Sequence, residues 1–160
     1  MTPNELAEMF EYKNGRLYWK IAPRNNPKML GKAAGTMHPR GYTRICIGNK
    51  FYLMHRLIFL MINGYMPMVV DHIDGDTSNN AIENLRDATF SQNQFNSKVP
   101  KNNKSGVKGV CWFNASKKWR VQITANKVKH FFGYFDDLEL ASLVATEARD
   151  KLHGKWANHG

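Results

Sequence analysis

The sequence predicts an α+β protein of 160 residues, in which small antiparallel sheets are combined with short helices. Two observations predict this class. Short runs alternate apolar and polar residues around Asn-Gly or Gly-Asn pairs, the pattern of β-hairpins. Elsewhere, apolar residues recur at helical spacing and the run ends at glycine. At 42% hydrophobic composition, the chain can bury a core as one modest domain or two small ones.

Two hairpins and a helix are predicted in the first half of the chain. EYKNGRLYWK places Asn14-Gly15 between two aromatic-rich runs, and such a pair favours the positive φ angles of a tight turn. GYTRICIGNKFYLMHRL alternates in the same way around Gly48-Asn49. Over residues 55–63 the apolar residues are too dense for alternation, and the glycine and proline that follow predict the end of a buried helix.

The composition changes after residue 97, where SKVPKNNKSG has little to bury. We therefore expect a first domain over 1–97, a basic linker over 98–106 and a second domain over 107–160. The second domain begins with three strand-like runs, VKGVCWFN, KKWRVQITA and KVKHFFGYF, which predict a three-stranded antiparallel sheet.

One amphipathic helix is predicted to follow this sheet and to pack on it. DDLELASLVATEARDKLHG carries apolar residues at helical spacing and ends at Gly154. Asp136 stands three residues before Glu139, which predicts a capping box at the start of the helix.

Charge and cysteine content restrict the classes of function. A formal net charge of +10 favours a polyanionic partner, most commonly nucleic acid. Cys46 and Cys111 provide no disulfide framework. The first ten residues carry Glu5 and Glu8 where a secretory signal would be basic, and no apolar run reaches the ~20 residues of a membrane span. We expect a cytoplasmic protein with no membrane role and no evident obligate protein partner.

The stretch VVDHIDGDTSNNAIENLR, residues 69–86, gathers acidic residues in a basic chain. The pattern predicts a strand ending at Asp71 and His72, a loop, a second strand, and a helix whose capping box is formed by Thr89 and Gln92. One interpretation is a polar turn rich in Asp and Asn. The other is a site for a hard divalent cation on oxygen ligands, with a base that activates water.

The longer stretch DHIDGDTSNNAIENLRDATFSQNQFN resembles the His-Asn-His (HNH) nucleases, in particular phage and intron homing endonucleases with a DHxxGDxxNNxxxNLR core. The resemblance covers about residues 40–97 and implies a ββα-metal domain. It makes Asp71 a metal ligand, His72 the general base, Asn84 a residue that braces the loop, and Asn93 the second protein ligand, on the helix. The implied cofactor is a divalent cation, Mg²⁺ with Mn²⁺ as the alternative.

Asn93 stands where the family name has its last histidine, which leaves two protein ligands and implies weaker metal binding. The other Asp and Asn residues of the loop, including Asn79 and Asn80, are interpreted mainly as loop-building residues. His55 opens an apolar helix and is interpreted as a satisfied, semi-buried histidine, with participation in the site as the alternative. For Arg86, a phosphate contact and a surface ion pair are both open.

Residues 98–135 contain nine Lys and Arg residues and no Asp or Glu. Such a surface would bind DNA with a steep salt dependence; the alternative is a solvated charged face. Along KWRVQITA, period two places apolar residues on one face and polar residues on the other. The apolar face is expected to hold Trp119, Val121 and Ile123, and the polar face Arg120, Gln122 and Thr124. The aromatic residues expected in the core are Trp112, Trp119, Phe132 and Phe135.

Residues 104–157 resemble the plant ethylene-response (Apetala-type) DNA-binding domain, which also occurs fused to phage HNH nucleases. The most specific part is GYFDDLELA with the LHG that ends the helix. By this resemblance, the residues on a DNA-facing sheet are Lys108, Arg120, Gln122, Thr124 and Lys129. Cys111 and Thr124 replace arginines of the plant pattern, which implies weaker readout or a different target.

The sequence as a whole predicts a metal-dependent DNA endonuclease, a free-standing phage homing enzyme that acts on double-stranded DNA in the host cytoplasm. One alternative is a DNA-binding regulator with a degenerate nuclease fold, which the intact Asp71, His72 and Asn93 disfavour. Another is an RNA-directed or structural nucleic-acid protein, which the lack of an RNA-recognition stacking motif disfavours.

Overall fold

The computed structural model describes residues 1–39 and 41–159, and the chain divides into two compact units, Met1–Ala88 and Thr89–Gly160. Among the described residues, the first unit contains α1 (Pro3–Met9), β1 (Phe10–Lys13), β2 (Arg16–Trp19), β3 (Thr36–Met37), β4 (Thr43–Ile47), β5 (Lys50–Leu53), α2 (Met54–Asn63), β6 (Val69–His72) and β7 (Leu85–Ala88). The second contains α3 (Phe90–Phe95), β8 (Val110–Phe113), β9 (Lys118–Ala125), β10 (Val128–Phe135) and α4 (Leu138–His153). Single 3-10 turns occupy Pro27–Met29, Ile82–Asn84 and Gly154–Trp156. All strand pairs are antiparallel, so the predicted mixture of helices and small antiparallel sheets is confirmed.

Both predicted hairpins are confirmed. β1 pairs with β2 around Asn14 and Gly15, whose φ angles are 46° and 76°. β4 pairs with β5 around Gly48-Asn49, also at positive φ. The first turn also packs closely on the loop after β6, because a Cβ added at Gly15 would lie 2.8 Å from the main-chain nitrogen of Ala81. Glycine is therefore required there for space as well as for its φ angle.

The core of the first unit is built around α2. Its buried residues pack against apolar side chains from α1, the hairpins and the β6–β7 pair, which include Leu6, Phe10, Leu17, Ile45, Val70 and Leu85. α2 ends at Gly64, which has φ 79°. Arg56 of this helix donates to the main-chain oxygens of Pro67 and Met68, at 3.3 and 3.2 Å. These contacts fix the point at which β6 begins.

The second unit contains a three-stranded sheet in the order β10-β9-β8, with α4 packed on one face. Its core residues are Val110, Val121, Ile123, Ala141, Ala145 and Ala148. The predicted capping box of Asp136 and Glu139 is wrong. Asp137 is the N-cap of α4 and accepts from the Leu140 amide at 3.0 Å, whereas Asp136 pairs with the Lys118 ammonium at 3.0 Å.

The compact units differ from the predicted domain ranges 1–97, 98–106 and 107–160, because α3 lies in the second unit. The predicted ranges stay a prediction. No helix in the described part of the chain is both long and apolar enough to cross a bilayer.

Candidate active site

The β6–β7 pair carries the two residues that the sequence singled out most strongly. Asp71 lies opposite Arg86 and His72 lies opposite Leu85 in the antiparallel register. Both Asp71 and His72 are only 4% exposed. Because buried polar groups require partners, the contacts of these two side chains define what the site can do.

Asp71 forms an ion pair with Arg86. The Arg86 Nε donates to Asp71 Oδ2 at 2.8 Å, and the arginine side chain is itself mostly buried. Burying a carboxylate is costly unless an opposite charge and hydrogen bonds compensate. Of the two interpretations left open for Arg86, the structure therefore supports an ion pair, but a partly buried one directed at Asp71.

His72 is held by Asn80. The His72 Nε2 lies 3.0 Å from Asn80 Oδ1, and Asn80 Nδ2 donates to the Ser78 carbonyl at 3.3 Å. Because an amide oxygen can only accept, His72 Nε2 carries the proton, and Nδ1 of the neutral ring carries the lone pair. The contact fixes both the ring orientation and the tautomer in which Nδ1 can accept a proton.

His55 packs edge-on against His72, with ring centroids 4.9 Å apart. It is 4% exposed, and among the described residues its buried Nδ1 has no hydrogen-bond partner. Burial lowers the pKa of His55 to about 3, and electrostatic interactions with His72 and Arg56 contribute to the shift. The expected semi-buried, satisfied histidine is thus a fully buried one with an unsatisfied nitrogen. At neutral pH His55 is an uncharged ring packed against His72.

The low pKa of His55 makes the protein sensitive to acid. Between the ordinary pKa of 6.5 and about 3, the unfolded chain binds the proton more readily, so stability is lost as the pH falls through this window. We expect His55→Phe, which keeps an aromatic ring and does not titrate, to reduce the loss of unfolding free energy between pH 7 and 4.5 by on the order of 2–3 kcal/mol. Urea unfolding of both proteins at the two pH values measures the difference, and parallel losses would contradict it.

Asn84 connects the ends of the loop between β6 and β7. Its Nδ2 donates to Asp74 Oδ1 at 2.9 Å and to the Asn79 carbonyl at 2.8 Å, and its Oδ1 accepts from the Asp74 amide at 3.1 Å. Burial raises the pKa of Asp74, but hydrogen bonds from the Asp76 amide, Asn84 and Asn79 outweigh it, so the pKa is lowered overall. These are the contacts that a loop-bracing residue would make.

Asn93, the predicted second ligand, lies on α3 in the second unit. The predicted capping box at the start of this helix is confirmed: Gln92 N donates to Thr89 Oγ1 at 3.2 Å, and Thr89 N donates to Gln92 Oε1 at 2.8 Å. The structure therefore places Asp71, His72 and Asn84 on one hairpin and its loop, and Asn93 on a separate element. Its role as a ligand stays a prediction.

The chemistry of the donor set can be compared with the expected cation. In the described ranges, no group of three or more His, Cys, Asp or Glu side chains could hold a metal ion. Asp71 and Asn93 offer oxygen atoms, which suit Mg²⁺, an ion that usually keeps several waters and binds one or two carboxylates together with substrate phosphates. By their chemistry alone, these two predicted ligands suit a hard cation shared with a substrate, and they do not suit a tightly caged structural metal.

The predicted DNA-facing residues fall into two groups. The alternation along β9 is confirmed, since Val121 and Ile123 are buried while Thr124 is exposed, with Lys129 as the register partner of Thr124 on β10. Arg120 and Gln122 share the face of Thr124, and their contact with DNA stays a prediction. The predicted position of Lys108 on the sheet is wrong. Lys108 lies in the turn before β8, and its ammonium donates to main-chain carbonyls.

Residues 52–95 match the family model described as HNH endonuclease. The chain therefore carries an HNH endonuclease domain. It is 38% identical over 105 residues to Protein 3.8 of Escherichia phage T7. The aligned residues make up 64% of this chain and 86% of that protein. The chain belongs to the same family as this phage protein.

A second relative carries the nuclease description in its name. An uncharacterized HNH endonuclease of Acanthamoeba polyphaga mimivirus is 33% identical over 107 residues, covering 65% of this chain and 54% of that protein. The chain thus spans about half the length of this relative. No solved structure matches the chain.

Asn80 is the site residue that the sequence interpretation missed. It was grouped with Asn79 as a loop builder, yet Asn80 is 3% exposed and bonds His72, whereas Asn79 is exposed and bonds Asp74. Two adjacent asparagines in a polar loop give no periodic signal that separates them. Only the conformation of the loop decides which side chain reaches the histidine.

Proposed function

We propose that the protein is a metal-dependent endonuclease that hydrolyses phosphodiester bonds in double-stranded DNA. The observation that carries this proposal is that Asp71 and His72 lie next to each other at the buried end of β6. Asn80 holds His72 in the tautomer that leaves a lone pair on Nδ1. The match of residues 52–95 to the HNH endonucleases supports the same chemistry.

In the proposed mechanism, His72 Nδ1 accepts a proton from the water that attacks phosphorus, while Nε2 stays hydrogen-bonded to Asn80. Asp71 and Asn93 would hold the cation, and Arg86 would keep the Asp71 carboxylate in place. When bound, a divalent cation would polarise the phosphoryl oxygen and stabilise charge on the leaving oxygen. His55 excludes water from one side of His72 and adds no charge at neutral pH.

DNA binding is assigned to basic surfaces on both units. In the second, the Apetala-type resemblance and the outward residues of β9 and β10 favour a sheet that lies on DNA. In the first, residues 12–70 contain ten Lys and Arg residues and no Asp or Glu, which favours further contact with the phosphate backbone. The viral relatives and the resemblance to homing endonucleases support a free-standing phage enzyme that works in the host cytoplasm.

A plasmid-nicking assay tests the proposed function. We expect the purified protein to nick or cut supercoiled DNA with Mg²⁺ or Mn²⁺ and to be inactive in excess chelator. Salt-dependent DNA binding without cleavage in either metal would favour the alternative of a DNA-binding regulator with a degenerate nuclease fold. Preferential binding or cleavage of RNA would favour the RNA-directed alternative.

The contact between Asn80 and His72 gives a second test of the mechanism. Asn80→Ala removes the acceptor for Nε2–H, so we expect the cleavage rate to fall roughly 10- to 100-fold, the usual effect of losing a partner that orients a site residue. Asn80→Asp keeps the acceptor for Nε2–H but loses the donor to the Ser78 carbonyl, so its rate should fall less than that of Asn80→Ala. ¹⁵N NMR of the His72 ring should show the Nε2–H tautomer in wild type and Asn80→Asp, and a mixture in Asn80→Ala.

Asn79→Ala is the matched control, because it shortens the adjacent asparagine, which bonds Asp74 and not His72. We expect the control to leave the His72 tautomer unchanged. An unchanged tautomer and rate in Asn80→Ala would remove Asn80 from the mechanism.

A further inference from the structure

Helix α3 belongs to the matched nuclease segment by sequence but to the second unit by packing. It has six residues, and none of them is fully buried. An isolated helix in water needs roughly 12–15 residues even to be marginally stable. The position of α3, and therefore of Asn93, depends on contacts made at its two ends.

The beginning and the end of α3 are held differently. The Thr89–Gln92 capping box is local and does not connect α3 to another element of the unit. At the other end, the Lys108 ammonium donates to the carbonyls of Phe95 and Asn158, both at 3.0 Å, and to that of Ser97. A positive charge at the carbonyl end of a helix is favourable, because the helix dipole places partial negative charge there.

Two further contacts connect the same end of α3 to the C-terminal elements. Asn158 Nδ2 donates to the main-chain and side-chain oxygens of Asn96, at 2.9 and 3.1 Å. The Phe95 ring stacks on His153 of α4, with centroids 3.8 Å apart and planes 5° from parallel. The end of the helix is therefore fastened to residues more than fifty positions later in the chain.

The main chain of Lys108 is bonded by a residue of α4. Arg149, which is 2% exposed, donates from Nη1 to the Lys108 carbonyl at 2.6 Å. Burial lowers the pKa of Lys108 to about 8, and the charge of Arg149 adds to this effect. An ammonium group that is partly buried and satisfied by three carbonyls is not presented to a phosphate.

The predicted DNA-facing residues of β9 lie close to the same helix. A cavity of about 690 Å³ in the second unit is lined by Ser91 and Gln94 of α3 and by Gln122 and Thr124 of β9. DNA that contacts the outward residues of β9 would therefore also pass near α3.

We propose that the C-terminal module, residues 98–159, orients the nuclease-motif helix α3 through Lys108 and the side chain of Asn158, which makes Lys108 a positioning residue for Asn93 rather than a DNA contact. The inference rests on the proposed nuclease function. The module then has two roles, since it binds DNA through its sheet and holds one element of the active site in place.

Three variants of the 160-residue chain test this role. Lys108→Met keeps the apolar stem and removes the ammonium, Lys108→Arg keeps the charge and the donors, and Lys104→Met removes one exposed positive charge nearby. For Lys108→Met we expect the single-turnover cleavage rate at saturating DNA to fall roughly 10- to 100-fold, with an unchanged salt slope of DNA binding. Lys108→Arg should recover the rate to within a few-fold of wild type, and Lys104→Met should affect only DNA affinity and its salt dependence.

A wild-type cleavage rate in Lys108→Met would overturn the proposal. It would also be overturned if the variant only bound DNA more weakly, with a salt slope reduced by about one, because that is the signature of a lost phosphate contact. If Lys108→Met does not fold, Asn158→Ala decides: a smaller rate loss with an unchanged salt slope supports the proposal, and a wild-type rate overturns it.

Amide hydrogen exchange in metal-free, DNA-free protein separates this proposal from the nuclease function. In Lys108→Met, or in Asn158→Ala if Lys108→Met does not fold, we expect faster exchange over residues 90–96 and unchanged protection in β9. Unchanged exchange in α3 would overturn the proposal even if the wild-type protein cleaves DNA. A wild-type protein that cleaves nothing would instead overturn the proposed function.

Discussion

His72→Ala is expected to lower the rate of DNA cleavage by roughly 10²–10⁴, the usual contribution of a positioned general base, while DNA affinity stays near that of wild type. The substitution removes the group that accepts the proton, and it leaves Asp71 paired with Arg86. The basic residues of the sheet are also unchanged. Single-turnover cleavage and equilibrium binding in chelator, measured on the same preparation, separate the two effects.

The structure adds two controls to this experiment. Because His72 is buried against His55 and bonded to Asn80, His72→Ala leaves a space in which added imidazole can act, and partial recovery of the rate is expected. Urea unfolding measures the stability lost with the side chain. A folded variant that cleaves at the wild-type rate eliminates His72 as the base. A joint loss of folding, binding and cleavage would favour the interpretation of the segment as a polar turn.

The local structure of the site could be predicted from sequence because each feature depends on neighbouring residues. Asn14-Gly15 and Gly48-Asn49 set their turns by backbone preference alone. The Thr89 capping box lies within four residues, and the alternation along β9 follows from the two-residue period of a strand. The placement of Asp71 and His72 at the end of β6 follows from the short apolar run that precedes them.

Features that depend on distant contacts could not be predicted. Lys108 was assigned to a DNA-facing surface from charge and resemblance, but its carbonyl partners include Asn158, fifty residues away. The loop at Asn80 packs closely against Gly15, a residue more than sixty positions earlier in the chain. Neither relation leaves a periodic or compositional trace in the sequence.

The aromatic residues of the second unit show the same limit. Trp119 and Phe135 pack on the core, as expected, but Trp112 is 43% and Phe132 is 39% exposed, so for these two the expectation is wrong. Trp112 lies on β8, at the edge of the sheet. Phe132 falls at the irregularity between Phe131 and Gly133, which interrupts the alternation on β10. An edge position and a bulge are both consequences of strand pairing, which the residue pattern alone does not specify.

Removal of either proposed oxygen ligand should weaken metal binding more than it weakens DNA binding. We expect Asp71→Asn and Asn93→Ala each to raise the Mg²⁺ or Mn²⁺ concentration needed for half-maximal cleavage. Loss of a residue that only supports a metal ligand typically costs roughly 10- to 100-fold in metal affinity, and loss of a ligand itself should cost at least as much. With so few protein ligands, little remains to hold a hard cation. Metal titrations of the cleavage rate at saturating DNA measure the effect, and Asp87→Asn, an exposed acid on the neighbouring strand, is the charge-matched control.

Asp71→Asn needs one further control, because it leaves the mostly buried Arg86 without its carboxylate. Loss of one partner of a buried ion pair typically costs about 3–5 kcal/mol of stability, so reduced activity could reflect partial unfolding. The double variant Asp71→Asn with Arg86→Gln removes both charges and should fold better than Asp71→Asn alone while keeping the weakened metal dependence. Wild-type metal dependence in that folded double variant, or full cleavage by the wild-type protein in excess chelator, would exclude Asp71 as a ligand and leave the ion pair as its only role.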